Sequence, residues 1–326
     1  MFTQKSRIKE ILKEPELKGK EYMINIADGI PSAMFANLPL TRLQKMCGWD
    51  AVSMAEGLQY VSEKMKQGQI FYDFWSEDEK GRDPSRKNTG LAAFTTGKKG
   101  KYAVICAGGA YQVVCSVVEA YPLAKRLNEA GYSAFVVTYR TGKNGLMPNP
   151  IDDLAQAVRF ITDHAEQFQV DPDDYAVIGS SAGGHLAAMF GTESKGYSVY
   201  GLKRPGSIFL AYPVISYVED AEHSTIRGMR KISLGKKKMD DLMMKEMYSA
   251  ECHVTDSYPP TFLWQCEEDS MCPVINSQVM ARALKQHKIP YIYETYPGTA
   301  HGWGIADRTP AEGWLERAVK FWQENI

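Results

Sequence analysis

Residues 175–185 decide the fold of this chain, and they read Tyr175-Ala-Val-Ile-Gly-Ser-Ser-Ala-Gly-Gly-His185. The apolar run that opens this stretch is typical of a buried strand, and the Ala-rich sequence from Ala182 to Phe190 is typical of a helix. Between them stands a G-x-S-x-G pattern, Gly179-Ser-Ser-Ala-Gly183. In a strand–turn–helix context this pattern predicts a sharp turn that strains the backbone of Ser181 and lifts its hydroxyl clear of the sheet.

The neighbours of Ser181 fit a nucleophile. Gly179 and Gly183 carry no side chain, so the predicted strand and helix can approach each other closely. Ser181 falls at the N-terminus of the predicted helix, where free N–H groups favour developing negative charge. A tight turn without chemistry would use the same residue types. The interpretation therefore requires a base, an acid that orients the base, and oxyanion donors elsewhere in the chain.

Composition sets limits on function. The chain has 326 residues, of which 44% are hydrophobic, and this is ample for one large core with an appendage. The net charge is −1, so no electrostatic case exists for nucleic acid or an anionic membrane as a partner. Residues 1–7 lead into charged sequence and lack a signal-peptide apolar region, so we expect a cytoplasmic protein. The six cysteines lack C-x-x-C spacing, and we predict no metal site and no cofactor.

Residues 1–69 are predicted to form a helical arm packed on the main domain. A lid or an oligomer contact is the alternative role for this arm. Asp50 is expected to cap a helix that ends at Gly68, with its apolar residues on one face.

Residues 70–326 are predicted to form one α/β catalytic domain. Apolar strands alternate here with amphipathic helices, which indicates a mostly parallel sheet with helices on both faces. Residues 76–88 are dense in charge and contain Gly and Pro, and we expect an exposed loop. Residues 217–258 interrupt the alternation with a polar, Met-rich and Lys-rich segment. This insertion is interpreted either as a solvated excursion or as a small cap over the site.

Among six histidines, His301 is the best candidate for the base. It lies in the glycine-rich segment Tyr296-Pro-Gly-Thr-Ala-His-Gly-Trp-Gly304, directly after the last predicted strand. Ligands of parallel α/β sheets bind beyond the carboxyl ends of the strands, so this position suits a catalytic group. His185 follows Ser181 too closely to turn back to it.

The acid is expected at the end of the preceding predicted strand, Thr261–Cys266. Asp269 is the first candidate there and Glu268 the second, although an acidic cluster at a strand end is also typical of a solvated surface. The order Ser, Asp, His along the chain is that of the α/β hydrolases and differs from other serine hydrolase folds.

Oxyanion donors are expected after an early strand. Residues 102–106 form an apolar run, and Ala107-Gly-Gly-Ala-Tyr111 follows it, with two glycines that allow backbone N–H groups to point into a site. The N–H of the residue after the nucleophile would add another donor. The candidate donors are Gly108, Gly109, Ala110 and Ala182.

From about Tyr72 onward the chain resembles α/β-hydrolase-fold esterases of the hormone-sensitive-lipase and acetyl-esterase type. It is most similar to their bacterial carbohydrate-esterase branch, which includes xylan acetyl esterases and sugar-ester hydrolases. The oxyanion loop of that family usually begins His-Gly-Gly-Gly or Pro-Gly-Gly-Gly, whereas this chain has Ala107 first and Ala110 last. The stretches that carry the resemblance are Ala107–Tyr111, Glu119–Ala124, Tyr139-Arg140, Gly179–His185, Asp269–Pro273, His301–Gly304 and Ala311–Trp314.

The resemblance implies a serine carboxylesterase that acts on small acyl esters, in particular acetyl esters of carbohydrates, through Ser181, His301 and Asp269. The expected partner is a small-molecule ester. The sequence does not decide whether the protein forms a homo-oligomer. One alternative is a peptidase of the prolyl-oligopeptidase type, which the lack of an obvious propeller domain argues against. The other is a binding protein that has kept this fold and lost catalysis. Aromatic and Met residues near the strand ends are candidates for the substrate pocket: Tyr111, Trp264, Met271 and Trp303.

Overall fold

A single eight-stranded sheet organises the computed structural model, which describes residues 1–24, 30–219 and 222–325 and only the backbone of residues 30–33. The strands β1–β8 are Phe71–Tyr72, Gly90–Phe94, Gly100–Cys106, Ser133–Thr138, Val170–Ser180, Ser207–Ala211, Thr261–Cys266 and Tyr291–Tyr296. The helices α1–α14 are Ile8–Ile11, Ile30–Asn37, Leu40–Cys47, Ala51–Gln67, Glu77–Arg82, Ser116–Glu119, Tyr121–Glu129, Asn149–Asp163, Ala165–Phe168, Ser181–Phe190, Ser224–Leu234, Leu242–Met247, Ile275–Gln286 and Trp314–Glu324. Short 3₁₀ helices cover Pro15–Leu17, Glu21–Met23, Pro84–Asn88 and Ala250–His253. Of the helices described, none has the length and apolar character needed to cross a bilayer.

The strand order is β1-β2-β4-β3-β5-β6-β7-β8, and the pairs from β4 to β8 are all parallel. Strands β1 and β2 add an antiparallel edge. Every residue of β2, β4, β6 and β7 is buried, so both faces of the sheet are covered, as predicted from the apolar runs. The register pairs Cys106 with Gly179 and Ser180 with Ala211, which brings the loops after β3, β5 and β6 to one edge.

The helices within residues 1–69 contact the loops and helices around that edge. Asp50 caps α4 as predicted, because its carboxylate accepts the N–H of Ser53 at 2.8 Å. Gly57 of α4 lies against Pro122 of α7, where an added Cβ would be 3.1 Å from the proline ring. Asp50 also forms an ion pair with Arg308, in the segment after β8. The division of the chain at residue 69 stays a prediction.

Residues 76–88 are mostly exposed, as their charge predicts, but they form α5 and a 3₁₀ helix and not a loop. Ser76 caps α5 in a reciprocal pair with Glu79, because each side chain accepts a backbone N–H from the other residue, at 3.3 and 2.9 Å. This pair satisfies two N–H groups that a helix terminus otherwise leaves free, which explains why so polar a segment is helical.

The insertion at residues 217–258 is helical and packed, so a solvated excursion is the wrong interpretation. Helix α11 buries Ile226 and Met229 on its inner face. The carbonyls of Ile232 and Ser233, near the end of α11, accept N–H groups from residues 146 and 147, each at 3.0 Å. The insertion is therefore attached to the loop after β4. Its role as a cap stays a prediction.

Candidate active site

Ser181 stands at the sharp turn between β5 and α10 that the sequence predicts. Its φ of +53° lies in the left-handed region, a strained conformation for a residue with a side chain that costs about 1–3 kcal/mol. The turn is closed by glycine: a Cβ on Gly183 would lie 2.0 Å from the carbonyl oxygen of Cys106, and one on Gly179 would lie 2.1 Å from that of Gly183. Any larger residue would push the strand and the helix apart.

Three side chains from distant loops form a hydrogen-bonded line at this turn. The Oγ atom of Ser181 is 2.8 Å from Nε2 of His301, and Nδ1 of His301 is 2.8 Å from Oδ2 of Asp269. A carboxylate only accepts hydrogen bonds, so Nδ1 carries the proton and Nε2 is free to accept one from the hydroxyl. The Asp269 side chain is fully buried and that of His301 is 15% exposed, so the base lies at the border between protein and solvent.

Asp269, not Glu268, reaches the histidine. Its Oδ1 atom accepts the N–H groups of Met271 and Cys272, each at 2.9 Å, which leaves Oδ2 facing His301. Glu268 is exposed beside it. These hydrogen bonds satisfy the buried carboxylate and fix its direction.

The loop after β3 contains the predicted oxyanion donors, and the prediction is wrong for one of them. The N–H of Gly108 points to the carboxylate of Glu119 at 2.6 Å, so Gly108 does not offer its amide to an oxyanion. Within the described residues, the N–H groups of Gly109, Ala110 and Ala182 have no hydrogen-bond acceptor, and they stay the predicted donors. Ala110 has a φ of +54°, a conformation for which glycine is the usual residue.

Two of the four predicted pocket residues are wrong, because they belong to the core. Tyr111 is fully buried and its hydroxyl is 2.8 Å from Nδ1 of His185. Trp264 is also fully buried, among other aromatic rings. Met271 is 50% exposed and Trp303 is half-buried, so pocket positions for these two stay predictions.

His185 has the local role that its position predicts. It is fully buried, with Nε2 2.7 Å from the carbonyl oxygen of Tyr248 and Nδ1 opposite the hydroxyl of Tyr111. Burial lowers the pKa of His185 to about 4, so the ring is neutral near pH 7. It ties the helix after the nucleophile to the insertion and lies outside the line of three side chains.

Sequence reasoning missed two residues beside that line. Glu119, at the end of α6, is 4% exposed, and burial raises its pKa. Tyr212 follows β6 directly; its hydroxyl donates to Glu119 at 3.0 Å and its ring lies 4.9 Å from that of His301. Two signals in the sequence could have indicated these residues. Glu119 is a lone charge inside the apolar run of residues 113–124, and Tyr212 is an aromatic residue directly after a strand, at the edge of the sheet where Ser181 lies.

The link between α3 and α4 also contributes a residue that the sequence did not single out. Trp49 lies next to the His301 loop: an added Cβ on Gly302 would be 3.2 Å from Nε1 of the indole. The ring is half-buried and pairs with Phe35 at a centroid distance of 6.1 Å.

No group of three or more His, Cys, Asp or Glu side chains in the described part of the chain could hold a metal ion.

The sheet and its connections define an α/β-hydrolase fold. A family model named BD-FAE matches residues 93–284, which is more than half of the chain. The chain belongs to the BD-FAE family.

Similar proteins agree with this placement. The chain is 31% identical to an acetylxylan esterase of Xylanibacter ruminicola over 70% of its own length and 46% of that protein. It is 33% identical to endo-1,4-beta-xylanase B of Butyrivibrio fibrisolvens over 65% of its own length and 34% of that protein. The chain thus spans less than half of these relatives. A solved acetyl ester-xyloside bifunctional hydrolase from Caldicellulosiruptor lactoaceticus superposes with a TM-score of 0.68 at 30% identity, over 78% of this chain and 95% of the other.

Proposed function

We propose that this protein is a serine carboxylesterase that hydrolyses small acyl esters, acetyl esters of carbohydrates in particular, through a covalent acyl-enzyme. The observation that carries the proposal is the pair of 2.8 Å contacts that join Ser181, His301 and Asp269. A hydroxyl, an imidazole and a buried carboxylate in this order are the parts that nucleophilic acyl transfer requires.

In the first half-reaction, His301 takes the proton of Ser181 as Oγ attacks the ester carbonyl. Asp269 keeps the imidazole in the correct tautomer and stabilises the imidazolium that forms. In this mechanism the N–H groups of Gly109, Ala110 and Ala182 stabilise the oxyanion, and each such donor contributes about 10²–10³ in rate. His301 then protonates the departing alcohol.

In the second half-reaction, water attacks the acyl-enzyme. His301 removes a proton from this water, the acid leaves, and Ser181 recovers its proton. The start of α10 at Ser181 adds the positive end of a helix dipole to the donors that face the oxyanion. The backbone strain at Ser181 holds the nucleophile in the position that attack needs.

The substrate class is supported by the names of the relatives. Two of them carry xylan in their names and a third is called an acetyl ester-xyloside hydrolase. Acetyl esters of xylo-oligosaccharides are therefore the first substrates to test, with acetylated manno-oligosaccharides as the comparison. Acetate release measured on both sets gives the alcohol preference of the enzyme.

The activity itself is tested with p-nitrophenyl acetate on wild type, Ser181→Ala and Ser180→Ala. Ser180 is the matched control, because it is the neighbouring serine of the same turn and the hydrogen bond to His301 comes from Ser181. We expect turnover in wild type and Ser180→Ala and none above background in Ser181→Ala. Equal turnover in wild type and Ser181→Ala would refute the mechanism, and no turnover of any ester by wild type would favour a binding protein.

The same preparations test the peptidase alternative. Cleavage of a prolyl-p-nitroanilide peptide by wild type, with no hydrolysis of acetyl esters, would support a peptidase of the prolyl-oligopeptidase type.

A further inference from the structure

A buried carboxylate lies directly behind the reacting groups and has no part in the mechanism above. Glu119 is 4% exposed, at the end of α6. A Cβ on Gly108 would be 2.8 Å from Oε2 of Glu119 and 2.8 Å from Cβ of Ser181, so Gly108 is held between the carboxylate and the nucleophile. Burying a carboxylate is unfavourable unless hydrogen bonds compensate, so the contacts of Glu119 are informative.

Both oxygens of this carboxylate accept a hydrogen bond, each from a different loop of the site. Oε2 accepts the N–H of Gly108 at 2.6 Å, and Oε1 accepts the hydroxyl of Tyr212 at 3.0 Å. The hydroxyl oxygen of Tyr212 in turn accepts the N–H of Gly304 at 2.8 Å. This chain of hydrogen bonds joins the oxyanion loop to the loop that carries His301.

Gly304 is itself fixed against the helix that carries Glu119. A Cβ on Gly304 would be 2.4 Å from the carbonyl oxygen of Val118, and the Gly304 carbonyl accepts the indole N–H of Trp314 at 3.1 Å. The far end of the chain of hydrogen bonds is therefore anchored. A change at Glu119 is expected to act on the oxyanion loop, which is the other end of this chain of hydrogen bonds.

The oxyanion loop needs such an anchor because it contains consecutive glycines. Glycine restricts φ and ψ least of all residues, and Gly109 adopts a φ of +128°. An oxyanion donor is effective only if its direction is set before the reaction. The hydrogen bond from Gly108 to Glu119 fixes the peptide plane between Ala107 and Gly108, directly before the peptide that carries the Gly109 N–H.

We propose that Glu119 is a positioning residue for ester hydrolysis: it sets the direction of the oxyanion-loop amides and, through Tyr212, the placement of this loop relative to His301. The proposal rests on the proposed function. Glu119 acts through Gly108 and Tyr212 and does not touch the substrate. Its loss should therefore lower kcat and the affinity for transition-state analogues, with little change in KM.

Three variants separate this role from a contribution to folding alone. Glu119→Leu removes both acceptors, and Glu119→Gln keeps an amide oxygen that can accept the Gly108 N–H. Tyr212→Phe removes the hydroxyl that joins Oε1 of Glu119 to Gly304 and keeps the hydrogen bond from Gly108. Tyr258→Phe is the matched control, because it deletes another buried tyrosine hydroxyl, which donates to the carbonyl of Ala188 at 2.9 Å.

The experiment measures kcat per active site and KM for p-nitrophenyl acetate. Active sites are counted by reaction with a fluorophosphonate to completion, which removes misfolded protein from the comparison. Inhibition by a trifluoromethyl ketone reports affinity for a tetrahedral adduct. We expect kcat per site to fall about 10–100-fold in Glu119→Leu, less than the loss of a whole donor, with KM within about twofold.

Glu119→Gln should recover part of this loss, and Tyr212→Phe should fall between Glu119→Gln and Glu119→Leu. The inhibition constant of the trifluoromethyl ketone should rise by the factor by which kcat/KM falls, and Tyr258→Phe should match wild type. Wild-type kcat per site in both Glu119→Leu and Tyr212→Phe would overturn the proposal, and so would a loss confined to KM. If Glu119→Leu does not fold, Tyr212→Phe decides alone. Failure of wild type to turn over the ester would instead refute the proposed function, and this role with it.

Discussion

Replacing Gly183 by alanine should damage both stability and activity, although alanine is the better helix former. An added Cβ would lie 2.0 Å from the carbonyl oxygen of Cys106 and 2.5 Å from that of Ala107, whereas real Cβ contacts essentially never fall below 3.0 Å. Strand β3 and helix α10 must therefore separate by about 1 Å or more. Both contacts are with backbone, so no side chain can rotate away to relieve them.

The expected magnitude follows from two opposing effects. Overpacking of a rigid site costs about 3 kcal/mol or more, while alanine in a helix interior gains about 1 kcal/mol over glycine. The free energy of unfolding should therefore fall by about 2 kcal/mol or more. Gly228→Ala is the matched control, because Gly228 lies in helix α11 with nothing within 4 Å of the added Cβ. That variant should gain about 0.5–1 kcal/mol.

Urea unfolding followed by tryptophan fluorescence measures both stabilities, and the ester assay measures the effect on catalysis. A shift of about 1 Å at the nucleophile costs about 10²-fold in rate, so kcat/KM of Gly183→Ala should fall by at least this factor. A Gly183→Ala protein as stable as Gly228→Ala, with full activity, would refute the geometry of the turn.

Three further predictions concern the acid, the buried histidine and the N-terminal helices. Asp269→Asn should fold and lose about 10⁴-fold in kcat, because the amide favours the wrong tautomer of His301. A kcat for ester hydrolysis within tenfold of wild type would contradict this. Because the folded-state pKa of His185 is about 4, below its usual value, the unfolded chain takes up a proton first as the pH falls below about 6.5. The free energy of unfolding should then drop by up to about 3 kcal/mol as the pH falls toward 4, and the urea midpoint of wild type should fall with it. An equally steep fall in His185→Phe would show that His185 is not the group responsible. Trp49→Ala should lower kcat/KM about tenfold, because the His301 loop loses its contact at Gly302, and unchanged kinetics would show that the indole does not support this loop.

The sheet and the line of three side chains could be predicted because their signals are local and independent. Uninterrupted apolar runs predict buried parallel strands, and parallel strands place their following loops at one edge. His301 and Asp269 each follow such a strand directly, so their meeting with Ser181 requires only the topology.

Two of the errors arose where a contact between segments apart in the sequence decides the outcome. Glu119 takes the Gly108 N–H away from the oxyanion, and no pattern within the loop reveals a partner eleven residues later. The side chain of Tyr111 points into the core, where its hydroxyl has a hydrogen-bond partner in His185. A loop has no regular alternation from which the direction of a side chain can be predicted. The helix that starts after Ser76 was readable from its spacing to Glu79, but charge density suggested a loop instead.

Ala110 departs from the family pattern, and this departure shows what the pattern can and cannot predict about the loop. The pattern of the family that the sequence resembles has glycine at this position. Ala110 has a left-handed backbone, with φ +54°, that glycine would adopt easily, and alanine adopts it at a cost in strain of about 1 kcal/mol or more. The resemblance gave the position of the loop and left open which of its amides donate.

The central claim is that the hydroxyl of Ser181 carries the acyl group during turnover. Rapid acid quenching of the enzyme during hydrolysis of p-nitrophenyl acetate, followed by mass spectrometry of its peptides, measures this directly. The account predicts one added acetyl group on the peptide that contains Ser181, formed at the rate of the p-nitrophenol burst and missing from Ser181→Ala. An acetyl group on another residue that forms at the burst rate, or steady turnover with Ser181 never modified, would contradict it.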